Sequence, residues 1–179
     1  MNRTEIKRAI GGSGSRLVIA EHDGRYWASN RYWLTDAERV RPLLEHAGFR
    51  TDAPAVYDVN GKITAADTPP PLVGPLMPTD ESEQLALYRI SGQLLSRPED
   101  GRPAFVEMGN ATCFVLVTVD HSAVYVNSDY LRFICDRYEV DAVTLRQQRK
   151  RTVSGGYEGP VEVYDPDGAL LGLVMPVRG

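Results

Sequence analysis

Paired turn residues punctuate this chain of 179 residues so often that long helices are ruled out and short antiparallel strands are favoured. His22-Asp23-Gly24, Asn60-Gly61, Gly109-Asn110 and Asp165-Pro166-Asp167-Gly168 each lie between two apolar runs. Asn-Gly and Asp-Gly accept the positive φ that a tight hairpin needs, so these sites favour chain reversal between paired strands. The flanking runs are short and rich in Val, Tyr, Leu and Ile, which suits half-buried strands.

The pattern predicts strands over 16–20, 26–30, 53–59, 72–77, 85–90, 104–108, 112–119 and 123–127, then over 142–145, 160–164 and 169–177. Two principal helices break the β pattern. Thr35 is the expected N-cap of the first, with Glu38 three residues on in capping-box spacing and Gly48 at its end. Pro42 lies within this segment and must either begin the regular helix or kink it. The second helix covers 128–138. The expected class is α+β, with helices packed on antiparallel sheet. Residues 1–15 read as a short helix and a Gly/Ser link outside a single domain at 16–179.

The chain also echoes itself. Residues 72–78 line up with 170–176, and the same offset brings Tyr32 onto Tyr130. A second match, 56–61 with 163–168, needs a different offset. Together they suggest two β-α-β-β-β units, about 16–79 and about 120–179, joined by a strand-rich connector over 80–119.

The second unit closes on Val174-Met175-Pro176-Val177-Arg178. This ending, after a β-α-β-β-β succession, resembles the C-terminus of the sliding clamp of bacterial DNA polymerase III. The resemblance covers about the last third of the chain and departs from the family at Gly179, where an apolar residue is usual. It implies a DNA-clamp-like fold and a processivity factor that closes as a homo-oligomeric ring on duplex DNA. It further implies that Val174, Met175, Pro176, Val177 and Arg178 line a groove for short peptide motifs of replication proteins. An alternative keeps the fold but not the ring: an adaptor, decoy or regulator that binds protein and does not encircle DNA.

A clamp holds the duplex through phosphate contacts from basic residues on its inner helices. The candidates here are Arg39 and Arg41 on the first helix and Arg132 and Arg137 on the second. The densest basic run adds Arg146, Arg149, Lys150 and Arg151. Acidic residues share these segments, and the net charge is −4, so any DNA contact must come from a local face rather than from the global field. Solvated, mixed-charge surface is the plainer reading of each.

Catalysis finds no support in the sequence. His22, His46 and His121 are isolated, and no Cys or His spacing suits a metal. Gly11-Gly12-Ser13-Gly14-Ser15 lacks the Gly-Lys-Ser/Thr ending of a phosphate loop. Cys113 and Cys135 sit in apolar runs and read as buried free thiols. The expectation is a non-enzyme without cofactor. No apolar run nears the roughly 18 residues of a membrane span, and no secretory signal is evident, so a cytoplasmic location is expected.

Overall fold

The structure is a computed structural model that describes residues 1–11, 14–65, 82–90, 101–148 and 159–177. Among the described residues it is a mixed α+β protein with three α-helices, a 3-10 turn at Val140–Ala142, one large antiparallel sheet and a separate two-stranded one. The elements in order are α1 (Arg3–Ile10), β1 (Arg16–His22), β2 (Arg25–Ser29), β3 (Trp33–Asp36), α2 (Ala37–His46), β4 (Ala55–Asp58) and β5 (Ile63–Ala65). There follow β6 (Ser82–Leu87), β7 (Arg89–Ile90), β8 (Arg102–Pro103), β9 (Phe105–Met108), β10 (Ala111–Val117), β11 (Ala123–Asn127) and α3 (Ser128–Cys135). β12 (Thr144–Gln148), β13 (Val161–Tyr164) and β14 (Leu170–Val174) complete the chain. The strand expected at 72–77, and with it the match to 170–176, lies outside the described residues.

The strand order is β11-β10-β6-β12-β13-β14-β3-β2-β1-β4-β5. It contains one arrangement twice. In the first half β3-β2-β1-β4-β5 lie side by side; in the second β11-β10-β6-β12-β13 lie in the same succession, followed by β14. The helices repeat with it. Asp36 and Asn127 are the N-caps of α2 and α3, and each side chain accepts a hydrogen bond from the N–H two residues on. At that same offset, buried Ala37, Val40 and Leu44 correspond to buried Ser128, Leu131 and Cys135.

This offset is not the one the sequence suggested. Tyr32 precedes β3, whereas Tyr130 lies in the first turn of α3, so the two are not equivalent. Likewise 56–61 spans the turn after β4, and 163–168 the turn after β13, which hold different places in the two halves. Thr35 is also not a cap: it is the third residue of β3, and Asp36 takes that role. Pro42 lies inside α2.

The span read as a connector belongs to the second half's sheet. β6 inserts between β10 and β12, and β9 continues along the same edge of β10 that β6 pairs with. Together β6 and β9 stand where β1 stands in the first half, with 88–104 interposed.

Alternation assigns the two faces of the sheet. Leu17 and Ile19 of β1 point to the main core beneath the helices, while Ala20 joins Trp27, Leu34 and Leu173 on the other face. The main core draws on all three helices and both halves of the sheet.

Helix α1 is the third helix, and it is part of that core rather than a detached segment. Its start is fixed by a capping box: Asn2 accepts from the Thr4 and Glu5 N–H groups at 3.0 Å, and Glu5 accepts from the Asn2 N–H. Ile6, Ala9 and Ile10 are completely buried. Each isoleucine contributes about 1.5–3 kcal/mol by leaving water. Its end is capped from outside. Buried Asn30 donates through Nδ2 to the Ala9 and Ile10 carbonyls (3.1 and 3.0 Å), and the Trp33 indole N–H donates to the Ala9 carbonyl at 2.6 Å. Asn30 Oδ1 accepts from the Tyr32 and Trp33 N–H groups, which shapes the turn from β2 to β3.

The halves meet where β14 pairs with β3, Gly172 opposite Thr35. A Cβ on Gly172 would stand 2.5 Å from the Leu34 carbonyl oxygen and 3.1 Å from Ile134 Cγ2. Only glycine lets α3 and β3 approach this closely. The buried Thr35 hydroxyl donates to the Leu171 carbonyl at 2.6 Å across the same seam.

Two substitutions test these supports. Asn30→Ala is expected to lower stability by roughly 1–3 kcal/mol for each buried group left unpaired, read as a lower urea midpoint. An unchanged midpoint would mean that α1 is held without this amide. Gly172→Ala is expected to cost about 1–3 kcal/mol through overpacking at the seam. Full retention of stability in thermal melts would contradict the close approach.

Candidate functional site

The C-terminal segment is stitched into the fold by its backbone. Val174 is completely buried and faces Val161 on one side and Trp33 on the other. Beyond it, the Met175 N–H donates to the Tyr32 carbonyl at 2.7 Å, and the Val177 N–H donates to the Tyr125 carbonyl at 2.8 Å. The chain therefore passes from the start of β3 to β11. Pro176, between them, has no N–H to offer. Every donor of residues 175–177 is committed inward, so a partner would meet their half-exposed side chains. Arg178 lies outside the described residues.

A tyrosine pair stands beside this segment. Tyr32 is 55 % exposed, and its ring stacks on that of Tyr130 with centroids 6.0 Å apart and planes 14° from parallel. Tyr130 is half-buried. Burial, with the neighbouring Tyr32 hydroxyl, pushes its phenol pKa upward. The amide that caps α1 also positions Tyr32, whose backbone N–H donates to its oxygen. A weak sequence signal for this pair existed, since both tyrosines stood out in the internal echo. Their contact comes from folding and not from equivalent places in a repeat.

Five of the eight basic candidates lie among the described residues. Arg39 donates to the Thr35 hydroxyl at 2.8 Å, and burial lowers its pKa, partly offset by Asp136. Arg41 is held by Glu38 and by the Thr51 hydroxyl. Arg132 is exposed but lies over the Phe105 and Phe114 rings, 5.8 and 5.6 Å from their centroids. Arg137 covers and hydrogen-bonds Tyr138, and Arg146 donates to the Ser82 hydroxyl and carbonyl. Each of these five has an intramolecular partner. Arg149, Lys150 and Arg151 lie outside the described residues. Between and beside α2 and α3, α1 packs against both.

No group of three or more His, Cys, Asp or Glu side chains that could hold a metal ion occurs among the described residues. His22 lies 3.4 Å from Asp23 in the exposed β1–β2 turn. Both cysteines are buried and free. Desolvation pushes the Cys135 thiol up to about 12, with Arg39 acting weakly in the opposite direction, and it also raises Cys113. Neither is poised as a nucleophile, which requires the thiolate near neutral pH. No helix among the described residues is long and apolar enough to cross a membrane.

Comparison of the chain with models of known protein families, with characterised proteins and with solved structures finds no match.

Cys135 has a testable consequence. Its folded pKa is raised from 9.0, so the neutral thiol contributes stability that is complete below pH 9 and declines as pH rises from 9 towards 12. In a Cys113→Ala background, thiol alkylation at pH 8 is expected only after unfolding. Rapid modification of the folded protein would contradict the burial of Cys135.

Proposed function

We propose that this chain is a clamp-like protein-docking module, which captures a short peptide on the surface formed by Tyr32, Tyr130, Met175, Pro176 and Val177 and does not encircle DNA. The observation that carries the reading is the stacked tyrosine pair held beside the C-terminal segment. Tyr rings offer large contact area with few rotatable bonds, and they are enriched among residues that dominate binding energy. The adaptable thioether of Met175 suits the same role. Because the segment's N–H groups are committed inward, recognition rests on side chains and not on addition of a strand.

The clamp-like part of the reading is supported by the succession β-α-β-β-β in the second half and β-α-β-β in the first, each with a preceding hairpin. Against a ring on duplex DNA stand the arginines paired within the molecule, the third helix packed on the other two, and the net charge of −4. A phosphate-binding inner surface needs cations free to replace counterions.

The test is fluorescence anisotropy with a labelled peptide of glutamine followed by apolar and aromatic residues, alongside a labelled duplex. Peptide binding is expected, with no duplex binding at physiological salt. Tyr32→Ala should weaken the peptide by about 2 kcal/mol, close to thirtyfold. Val177→Asp should abolish binding while thermal melts stay close to the parent's. Peptide titrations unaffected by both changes would remove the site assignment. Salt-sensitive duplex binding together with a closed oligomer in light scattering would replace the module with the ring.

A further inference from the structure

A second recess is lined in part by Tyr130, the one residue it shares with the docking surface. It is a cleft of about 830 Å³ between the exposed side of α1, the turn after β4, the turn between β9 and β10, and the first turn of α3. That volume lies within the range of small-ligand sites. Its chemistry is unusual for such a site. Lys7 and Arg8 project from α1, Asn60 and Asn110 come from the two turns, and Asp129 and Tyr130 come from α3. Val59, Ala111 and Tyr130 are the apolar members of the lining.

Charge indicates what would fit. Lys7 and Arg8 have no side-chain hydrogen bond or ion pair among the described residues, in contrast to the arginines of α2 and α3. Lys7 acts at longer range on Asp58, whose acidity it slightly increases. Among the residues that line the cleft, two cations stand with a single carboxylate, that of Asp129. A phosphate group is the compact anion that such a pair holds best. Asp129 is acceptor-only when ionised, and it suits hydroxyl donors. The Asn60 and Asn110 amides each supply donors and an acceptor for further hydroxyls. The half-buried face of Tyr130 gives an apolar wall against which a sugar ring can pack.

We propose that this cleft binds a phosphorylated sugar, with the phosphate on Lys7 and Arg8 and the hydroxyls on Asp129, Asn60 and Asn110. The two sources of that chemistry are a free sugar phosphate and a nucleotide. No bond is made or broken; the site is one of binding.

The experiment is amide-resolved NMR titration of the full chain with ribose 5-phosphate, adenosine monophosphate and inorganic phosphate in parallel. Ribose 5-phosphate is expected to shift the backbone resonances of Lys7, Asn110 and Asp129. Inorganic phosphate should bind at least about tenfold more weakly, because it lacks the hydroxyl contacts. Tighter binding of the monophosphate than of ribose 5-phosphate would identify a nucleotide as the source, and weaker binding a free sugar phosphate. Lys7→Ala/Arg8→Ala alters only outward-facing positions of α1 and should abolish the shifts while leaving the remaining spectrum in place. Asn110→Ala, at an exposed turn, gives a second variant that cannot disturb α1. The proposal is overturned if the sugar phosphates produce no shifts at millimolar concentration, if inorganic phosphate binds as tightly as they do, or if the shifts survive both variants. The peptide titrations read Tyr32 and Val177, which lie outside this cleft, so failure of either site leaves the other testable.

Discussion

One buried amide links the parts of this molecule that matter most. Asn30 uses its two N–H groups on the final carbonyls of α1 and its oxygen on the N–H groups that open β3. A helix end without such partners would leave carbonyls stranded in an apolar interior, at a cost comparable to a substantial part of a domain's net stability. With them, α1 can bury Ile6, Ala9 and Ile10 against the sheet and the other two helices. The same side chain accepts from the Tyr32 N–H, so the exposed ring of the aromatic pair inherits its position from the core.

The seam between the halves is the second constraint. The sheet runs continuously across the two halves only because β14 and β3 pair without obstruction. Gly172 removes the side chain that would collide with the Leu34 carbonyl, and Thr35 uses its hydroxyl to bond across the joint. Thr35 also accepts from Arg39, which draws a guanidinium into the interior of the helix layer and away from solvent. Stability at the seam and the loss of a free cation on α2 are consequences of one arrangement.

These two constraints shape what the surface can do. Side chains that tie helices to strands are unavailable to a phosphate backbone. The C-terminal segment is similarly restricted: having bonded Tyr32 and Tyr125 with its backbone, it presents only the flanks of Met175, Pro176 and Val177. Such a surface favours an apolar or aromatic partner. Lys7 and Arg8, which have no side-chain hydrogen bond or ion pair among the described residues, stand on α1 beside the turns that carry Asn60 and Asn110.

The local sequence determined what local forces determine. Hairpin turns at Gly24, Gly61, Gly109 and Gly168 all have positive φ, as Asp-Gly, Asn-Gly and Gly-Asn pairs demand. The alternation of apolar residues marked most of the described strands but not β3, β5 or β8, and the helix-length runs marked α2 and α3. The tail drew attention through its own residues. What the tertiary structure decided involves groups far apart in the chain. The burial of α1 depends on Asn30 and Trp33, more than 20 residues away, and a run of eight residues gives no hint of such a cap. The repeat was audible in the sequence but at the wrong offset, because tight turns reuse the same few residues, whereas equivalence in the fold is set by hydrogen-bonded neighbours. Helical arginines look alike in a sequence; Thr35, Thr51 and the Phe105 and Phe114 rings decide which of them still face water. Local propensity acts over a turn or two, and the pairing of buried polar groups acts across the whole core.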